Sequence, residues 1–300
     1  MKSRKIVLSS ETQPVVHQES LDRLSDLLDR FRVHATLFHE GPLCGRTVFE
    51  AQPHRAFLHV LRRGDLVIEH ARGAGLKKRV TVHEPSLILY PRSVSHTFVN
   101  PPCEGSDFTC AALSFDGGDL HPIATALPPL LVIPIAALSG LCPALDLLFA
   151  EAAHRRCGSR LLANRLFEVV LIQLFRWLMD HPDQAGLSHG LFHGMAHPRL
   201  ARALVALHRA PQDRWTLQRM ATEAHMSRST FAEAFRSTMG CTPMAYLTDW
   251  RLILAASLLR QGQPQKLVAA ELGFATASSL SRAFKQRYGA SPRAWMADDQ

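Results

Sequence analysis

Six cysteines and sixteen histidines are the side chains of this 300-residue chain that could ligate a metal or react with an oxidant. Cys44, Cys103, Cys110, Cys142, Cys157 and Cys241 are scattered with no C-x-x-C pair, unlike a secreted disulfide framework, and read as free thiols. Histidine is concentrated early, 14 of the 16 preceding residue 199. A different chemistry sits late. Residues 199–300 carry 14 Lys and Arg against 7 Asp and Glu, net +7, so residues 1–198 hold only +1 of the chain's +8. Clustered cations attract phosphate regardless of sequence, and an arginine or glutamate presented to base edges can read guanine or cytosine. Imidazole and thiol first, phosphate chemistry last: the two parts read as separate modules.

The elements that position these groups follow from the patterning. With 47% hydrophobic residues the chain can bury a real core and form two domains. The longest apolar run, Ile123 to Gly140, is interrupted by Pro128, Pro129 and Pro134, which argues against a membrane span. The charged N-terminus "MKSRKIVLSSETQ" leads into no apolar h-region, so a cytoplasmic protein is expected. After an amphipathic start at Leu21 to Phe31, residues 35–115 alternate short apolar runs ("AFLHVL", "LVIEH", "KRVTV", "LILY", "FTCAALSF") with turn residues, predicting a small antiparallel barrel or sandwich. From Cys142 the period becomes helical, and "SRLLANRLFEVVLIQLFRWLMDH" is apolar nearly all round, fit for inner core or a subunit interface. His181 to Pro198 is rich in Gly, Pro, His and Ser and reads as a linker whose histidines are solvated. Everything beyond it reads as helix.

That last third contains an internal repeat. Residues 227–246 laid on 276–295, an offset of 49, match identically at Ser229/Ser278, Ala234/Ala283, Phe235/Phe284, Gly240/Gly289, Pro243/Pro292 and Ala245/Ala294. The i,i+4 pairs Phe231 with Phe235 and Leu280 with Phe284 anchor one helix face in a core. Gly240 and Gly289 end each helix, and Thr242-Pro243 and Ser291-Pro292 start the next. A short helix and tight turn precede each unit, which is the helix-turn-helix pattern. Between the units a helix from Pro243 to about Arg260 would span roughly 26 Å, suited to holding two reading helices on one face of a duplex.

"WTLQRMATEAHMSRSTFAEAFRSTMGCTPMAYLTDWRLILAASLL" followed by "VAAELGFATASSLSRAFKQRYGASPRAW" resembles the DNA-binding domain of AraC/XylS-type transcriptional regulators over the last hundred residues. The resemblance implies reading helices from about Ser227 to Thr238 and Ala277 to Arg287, with Ser229, Ala232, Glu233, Ala277, Ser278 and Arg282 facing bases and Arg228, Arg236 and Lys285 facing phosphates. The glycine usual in the first turn is His225 here.

The first half resembles the cupin-like sensor domain that precedes this module in many such regulators, through "FHEGPLCG", "HRAFLHVLRRGDLVIEH" and "LILYPRSVSHTFVN". Pro91, His96 and Asn100 keep part of the second cupin motif, although its leading Gly is Pro85, and the first motif is broken because Leu61 stands where a second histidine would follow His59. The subfamily often carries Cys or His at four positions that map to His39, His59, His96 and Cys110, which implies a zinc or similar ion, or a thiol open to oxidation.

The expectation is an α+β protein: residues 1–180 an antiparallel β-barrel sensor with a helical dimerisation segment from about Leu141 to His181, 181–198 a linker, and 199–300 an all-α double helix-turn-helix. It would be a homodimeric, sequence-specific regulator of transcription that binds double-stranded DNA, senses a small molecule, metal or oxidant, and contacts RNA polymerase if it activates. The competing class is a cupin-type metal-dependent enzyme fused to a DNA-binding domain, for which no intact ligand set or general base is evident. A third is a constitutive DNA-binding protein whose first domain only dimerises.

Overall fold

The computed structural model describes residues 21–71, 75–101, 105–138, 140–153 and 156–298. Cys103 and the charged N-terminal stretch lie outside them. Helix α1 (Ser25–Arg30) leads into strands β1 (Val33–Leu43), β2 (Gly45–Phe49), β3 (Ala56–Arg63), β4 (Leu66–His70), β5 (Arg79–Val82), β6 (Ser86–Tyr90), β7 (His96–Asn100) and β8 (Ser106–Phe115), close to the runs read from the sequence. Helix α2 (Pro122–Ala126) and strand β9 (Leu131–Pro134) follow, then α3 (Cys142–Ala153) and α4 (Ser159–Asp180). Every pairing is antiparallel. Among the described residues the ladders form two sheets, ordered β1-β8-β3-β6-β9 and β2-β7-β4-β5.

Strand parity sorts the apolar residues to two cores. Phe57, Leu61, Ile88, Phe108 and Cys110 of the larger sheet meet Phe49, Leu66, Ile68, Val82 and Phe98 of the smaller one. The opposite face of the larger sheet, with Leu58, Val60, Leu87, Leu89, Ala111 and Leu113, packs on helices. A residue is inserted in β1 between Leu37 and His39, and this bulge turns the Phe38 ring onto Phe49, Phe57 and His59. Helix α4 lies along β1, and its Asn164 accepts a hydrogen bond from the Leu37 amide at 2.9 Å. The helix is one-sided after all: Phe167, Val170, Leu174 and Phe175 are buried, whereas Leu161 is 64% and Val169 41% exposed.

The expected linker is not a loose tether. Residues 191–196 form α5, with Leu191, Phe192 and Met195 buried. Its neighbours include α4, α6 (Pro198–Arg209) and α8 (Arg228–Met239). Gly194 serves close approach, since a Cβ there would overlap Met239 Sδ. Nor are its histidines idle. His197 Nδ1 accepts from the Arg199 and Leu200 amides as the N-cap of α6, and His193 Nε2 donates to the Leu187 carbonyl at 2.7 Å. Composition suggested a tether because Gly and His are common in loops, but here they relieve sterics and cap a helix.

Helix α7 (Leu217–Glu223) and α8 form the first helix-turn-helix, and α10 (Gln265–Glu271) and α11 (Ala277–Tyr288) the second. Helix α9 (Pro243–Arg260) joins them, and α12 (Pro292–Asp298) closes the chain. Ser227 and Thr276 cap the second helices, the latter in a reciprocal capping box with Ser279, and Gly240 and Gly289 end them at φ of 75° and 78°. The two turns differ. Gly273 has φ +73°, and a Cβ there would lie 2.4 Å from the Gln212 carbonyl oxygen. Arg251 of α9 ties this corner down, donating to the carbonyls of Pro211, Asp213 and Gly273. His225 takes the equivalent place in the first turn at φ 51° and is exposed. Gly273→Ala is therefore expected to cost about 2–4 kcal/mol in urea unfolding, from strain plus overlap. His225→Gly should change stability by less than about 1 kcal/mol, since relief of the left-handed strain offsets added unfolded-state entropy.

Two buried imidazoles stand where α1, α2, α6 and α9 meet. Burial lowers His121 to about 4 and His208 to about 3. Both folded values lie below the free imidazole's, so the unfolded chain takes up these protons first. Their contribution is complete above about pH 6.5 and is lost as pH falls, by up to about 1.4 kcal/mol per pH unit for each group. The urea midpoint should drop between pH 7.5 and 5.5, and a His121→Gln/His208→Gln double variant should lose part of that drop.

Candidate nucleic-acid interface and cross-sheet histidine pair

The reading helices are positioned by their apolar faces. Phe231, Phe235 and Met239 of α8, and Leu280 and Phe284 of α11, are buried, and this turns the opposite faces to solvent. Arg228, Ser229, Glu233 and Arg236 are exposed on α8, as are Ser278, Arg282 and Lys285 on α11, with Ala232 and Ala277 half-buried. All nine expected contact positions thus fall on, or at the margin of, the polar faces, four on α11 and five on α8. The C-terminal turn of α8 is held by the linker, the Gly190 amide donating to the Thr238 carbonyl at 2.9 Å. Arg287, beyond the expected set, is committed elsewhere in an ion pair with Asp249 of α9 at 3.3 Å. The arrangement leaves the cationic side chains of Arg228, Arg236, Arg282 and Lys285 exposed on the two polar faces.

In the first domain, His39, Cys110 and His59 lie side by side in one row across β1, β8 and β3, and His96 faces them from β7 of the other sheet. His59 and His96 meet, Nε2 to Nε2, at 3.0 Å. The proton positions follow from the partners. His96 Nδ1 donates to the Val94 carbonyl at 2.9 Å, and burial lowers the ring to about 4, so it is neutral and its Nε2 is the acceptor. His59 Nε2–H therefore donates, and its Nδ1 is left as a buried lone pair with no partner. Desolvation, with the nearby imidazoles of His96 and His39, pushes His59 well below the usual histidine range. Tyr90 stacks on His96 at 3.9 Å, and its hydroxyl donates at 2.7 Å to His70 Nε2, whose Nδ1 donates to the Lys77 carbonyl. Burial raises the Tyr90 hydroxyl, which stays protonated.

Neither of the other two expected ligands is hydrogen-bonded to the pair. His39 Nε2 donates to the Gly41 carbonyl at 3.2 Å, and burial raises the Cys110 thiol well above its ordinary value. Among the described residues no three His, Cys, Asp or Glu side chains are grouped so as to hold a metal ion. Asn100 of the partial second motif faces inward on β7 with His96 and Phe98, only 5% exposed, and its amide nitrogen and oxygen have no hydrogen-bond partner. Sequence reasoning did not single out His70 or Tyr90. Parity was the available signal for His70, since it shares a strand face with Leu66 and Ile68.

Comparison with known proteins matches residues 22–180 to a family model described as Cupin and residues 220–298 to one described as Helix-turn-helix domain. An AraC-like transcription regulator of Streptomyces antibioticus is 37% identical over 169 residues, 55% of each chain. The RCS-specific HTH-type transcriptional activator RclR of Escherichia coli K12 is 26% identical over 239 residues, 78% of this chain and 81% of that one. The chain spans about half the length of the two Streptomyces relatives it matches. Among solved structures, the DNA-binding domain of AdpA in complex with a target DNA is 29% identical, covering 33% of this chain and 89% of that one, with a TM-score of 0.32.

Proposed function

This chain belongs to the cupin family over residues 22–180 and carries a helix-turn-helix domain over 220–298, and on that footing we propose that it is an AraC-type, DNA-binding transcription regulator rather than an enzyme. One observation carries the reading: two geometrically equivalent helices, α8 and α11, each capped by a hydroxyl, ended by a left-handed glycine and buried on one face, present polar residues outward from the chain's most basic third. Double-stranded DNA is the partner such a surface fits. A second copy of the chain, paired through the exposed Leu161 and Val169 on α4, would complete a dimer, and RNA polymerase would be a further partner of an activator.

The space between the sheets is the place for a signal. The unpartnered His59 Nδ1, set among Phe49, Phe57 and Phe98, and the unpartnered Asn100 amide at the other end of β7, favour a small molecule with both apolar and hydrogen-bonding groups. A metal is the second reading, favoured by the 3.0 Å approach of two neutral imidazoles, but two ligands fall short of the four a structural zinc takes. Stoichiometric zinc in purified protein, lost in His59→Ala, would establish the metal; protein purified without it leaves the small-molecule reading in place.

For the interface, Arg282→Ala is expected to lower affinity for its best duplex by about 1–3 kcal/mol and to relax the base preference at the position it contacts. Lys285→Ala should weaken all duplexes alike and reduce the salt dependence of binding by about one counterion. Mobility shifts on a panel of single-base operator variants separate the two, and equal, sequence-blind losses from both would overturn the assignment.

A further inference from the structure

Strand β8 carries Phe108 and Cys110 into the space between the sheets and ends at Phe115, which reaches the helix joining the two reading heads only through His121 and Phe31. Its last residue, Phe115, packs on the His121 ring at 4.7 Å. His121 accepts the Ile123 and Ala124 amides on Nδ1 and donates from Nε2 to the Phe31 carbonyl at 3.0 Å. The Phe31 ring, fully buried, meets Trp250 of α9 edge-on at 5.4 Å. On its other side Trp250 stacks on His208 at 4.1 Å, which is bonded to the Tyr246 hydroxyl at 2.7 Å. Trp250 Nε1 has no hydrogen-bond partner, so aromatic contacts and apolar packing hold this ring.

A second grip lies just beyond the strand. The Gly117 carbonyl accepts from Arg260 Nη1 at 2.7 Å, and the same guanidinium lies 4.4 Å over the Trp295 ring of α12. Gly117 and Gly118 have φ of 88° and 59°, a left-handed conformation that residues with a Cβ adopt only under strain, so the turn that aims this carbonyl favours glycine there. Trp250 and Arg260 are about 15 Å apart along α9, so the first domain holds the connecting helix at its middle and at its end.

We propose that β8 and the turn after it are the route by which the two-sheet domain positions α9, and with it the spacing of the two reading heads, Phe31 and the Gly117 carbonyl being the positioning groups. The inference rests on reading α8 and α11 as DNA-reading helices. A molecule bound between the sheets displaces one end of a strand whose other end leads to this joint. Close packing leaves little slack to absorb the displacement between them.

Hydrogen exchange on the full chain tests the route without DNA. In Phe31→Ala, and independently in Gly118→Ala should the first fail to fold, the amides of α9 from Leu252 to Arg260 should exchange about tenfold faster, the scale of one lost aromatic or charge-assisted contact. Phe108→Leu on β8 should also raise their exchange, whereas Ile68→Val on β4, in the same core but on a strand remote from the joint, should not. Unchanged α9 exchange in the joint variants, or equal responses to Phe108→Leu and Ile68→Val, would overturn the route. A parallel selection from a duplex library with variable half-site spacing should give one preferred spacing for wild type and a broadened set for Gly118→Ala; retained single spacing would overturn the positioning role. Failure of wild type to retain any duplex would instead sink the DNA-binding reading while leaving the exchange result standing.

Discussion

Helix α9 cannot stand in water, and much of the architecture follows from covering it. Eight of its eighteen residues are buried, among them Leu247, Trp250, Leu252, Leu254, Ala255 and Leu259, and these point in several directions round the helix. The two helix-turn-helix units cover part of that surface through Phe235, which meets Tyr246, and through Phe284 and Trp295. The remainder is covered by the first domain, with Phe31 as the wedge. One apolar core therefore runs unbroken from the helix-covered face of the larger sheet to the second helix-turn-helix. Ion pairs and carbonyl contacts such as Arg209 with Asp26, and Arg30 with the Arg209 carbonyl, edge this seam, but they are exposed and add little beside the buried rings.

Imidazole is the most frequent buried polar side chain among the described residues. A neutral histidine offers one donor and one acceptor on a flat ring, so it can stack on aromatic residues while bridging two polar partners. His121 and His70 use both nitrogens in this way, and His208 stacks on Trp250 while bonding Tyr246. His59 is the exception, with one nitrogen satisfied and one bare, and Asn100 on the facing sheet is bare at both side-chain atoms. A buried polar atom without a partner costs about 1–3 kcal/mol, so such groups mark either an ordered water or the place of a ligand. Both lie on the strand faces that look into the space between the sheets, although Thr109 Oγ1, on the opposite face of β8, is also buried without a partner.

Legibility varied with how local the cause was. The boundaries of α8, α9 and α11 were readable to within a residue or so, because hydroxyl caps, proline at the first turn and left-handed glycines act through bonds inside one turn of helix. The strands were readable for a similar reason, as apolar runs cut by turn residues. The polar faces of α8 and α11 follow from the anchoring Phe231, Phe235, Leu280 and Phe284, which bury the opposite faces. The linker was misread, since Gly194 and the helix-capping His197 are loop-like by composition and take their meaning only from Met239 and the amides beside them.

The sequence alone determined the module order, the helix ends, the strand runs and the faces of α8 and α11, all set by contacts between residues a few positions apart. Only the tertiary structure decided which histidines meet. His39, His59 and Cys110 share a row by register, yet the bond forms between His59 and His96, on strands of different sheets 37 residues apart, and strand alternation says nothing about which rings face across a gap. The meeting of Phe31 with Trp250, and of Gly117 with Arg260, has the same character. These are contacts between distant segments chosen by how two apolar surfaces fit, a collective property of packing that no short window of sequence contains.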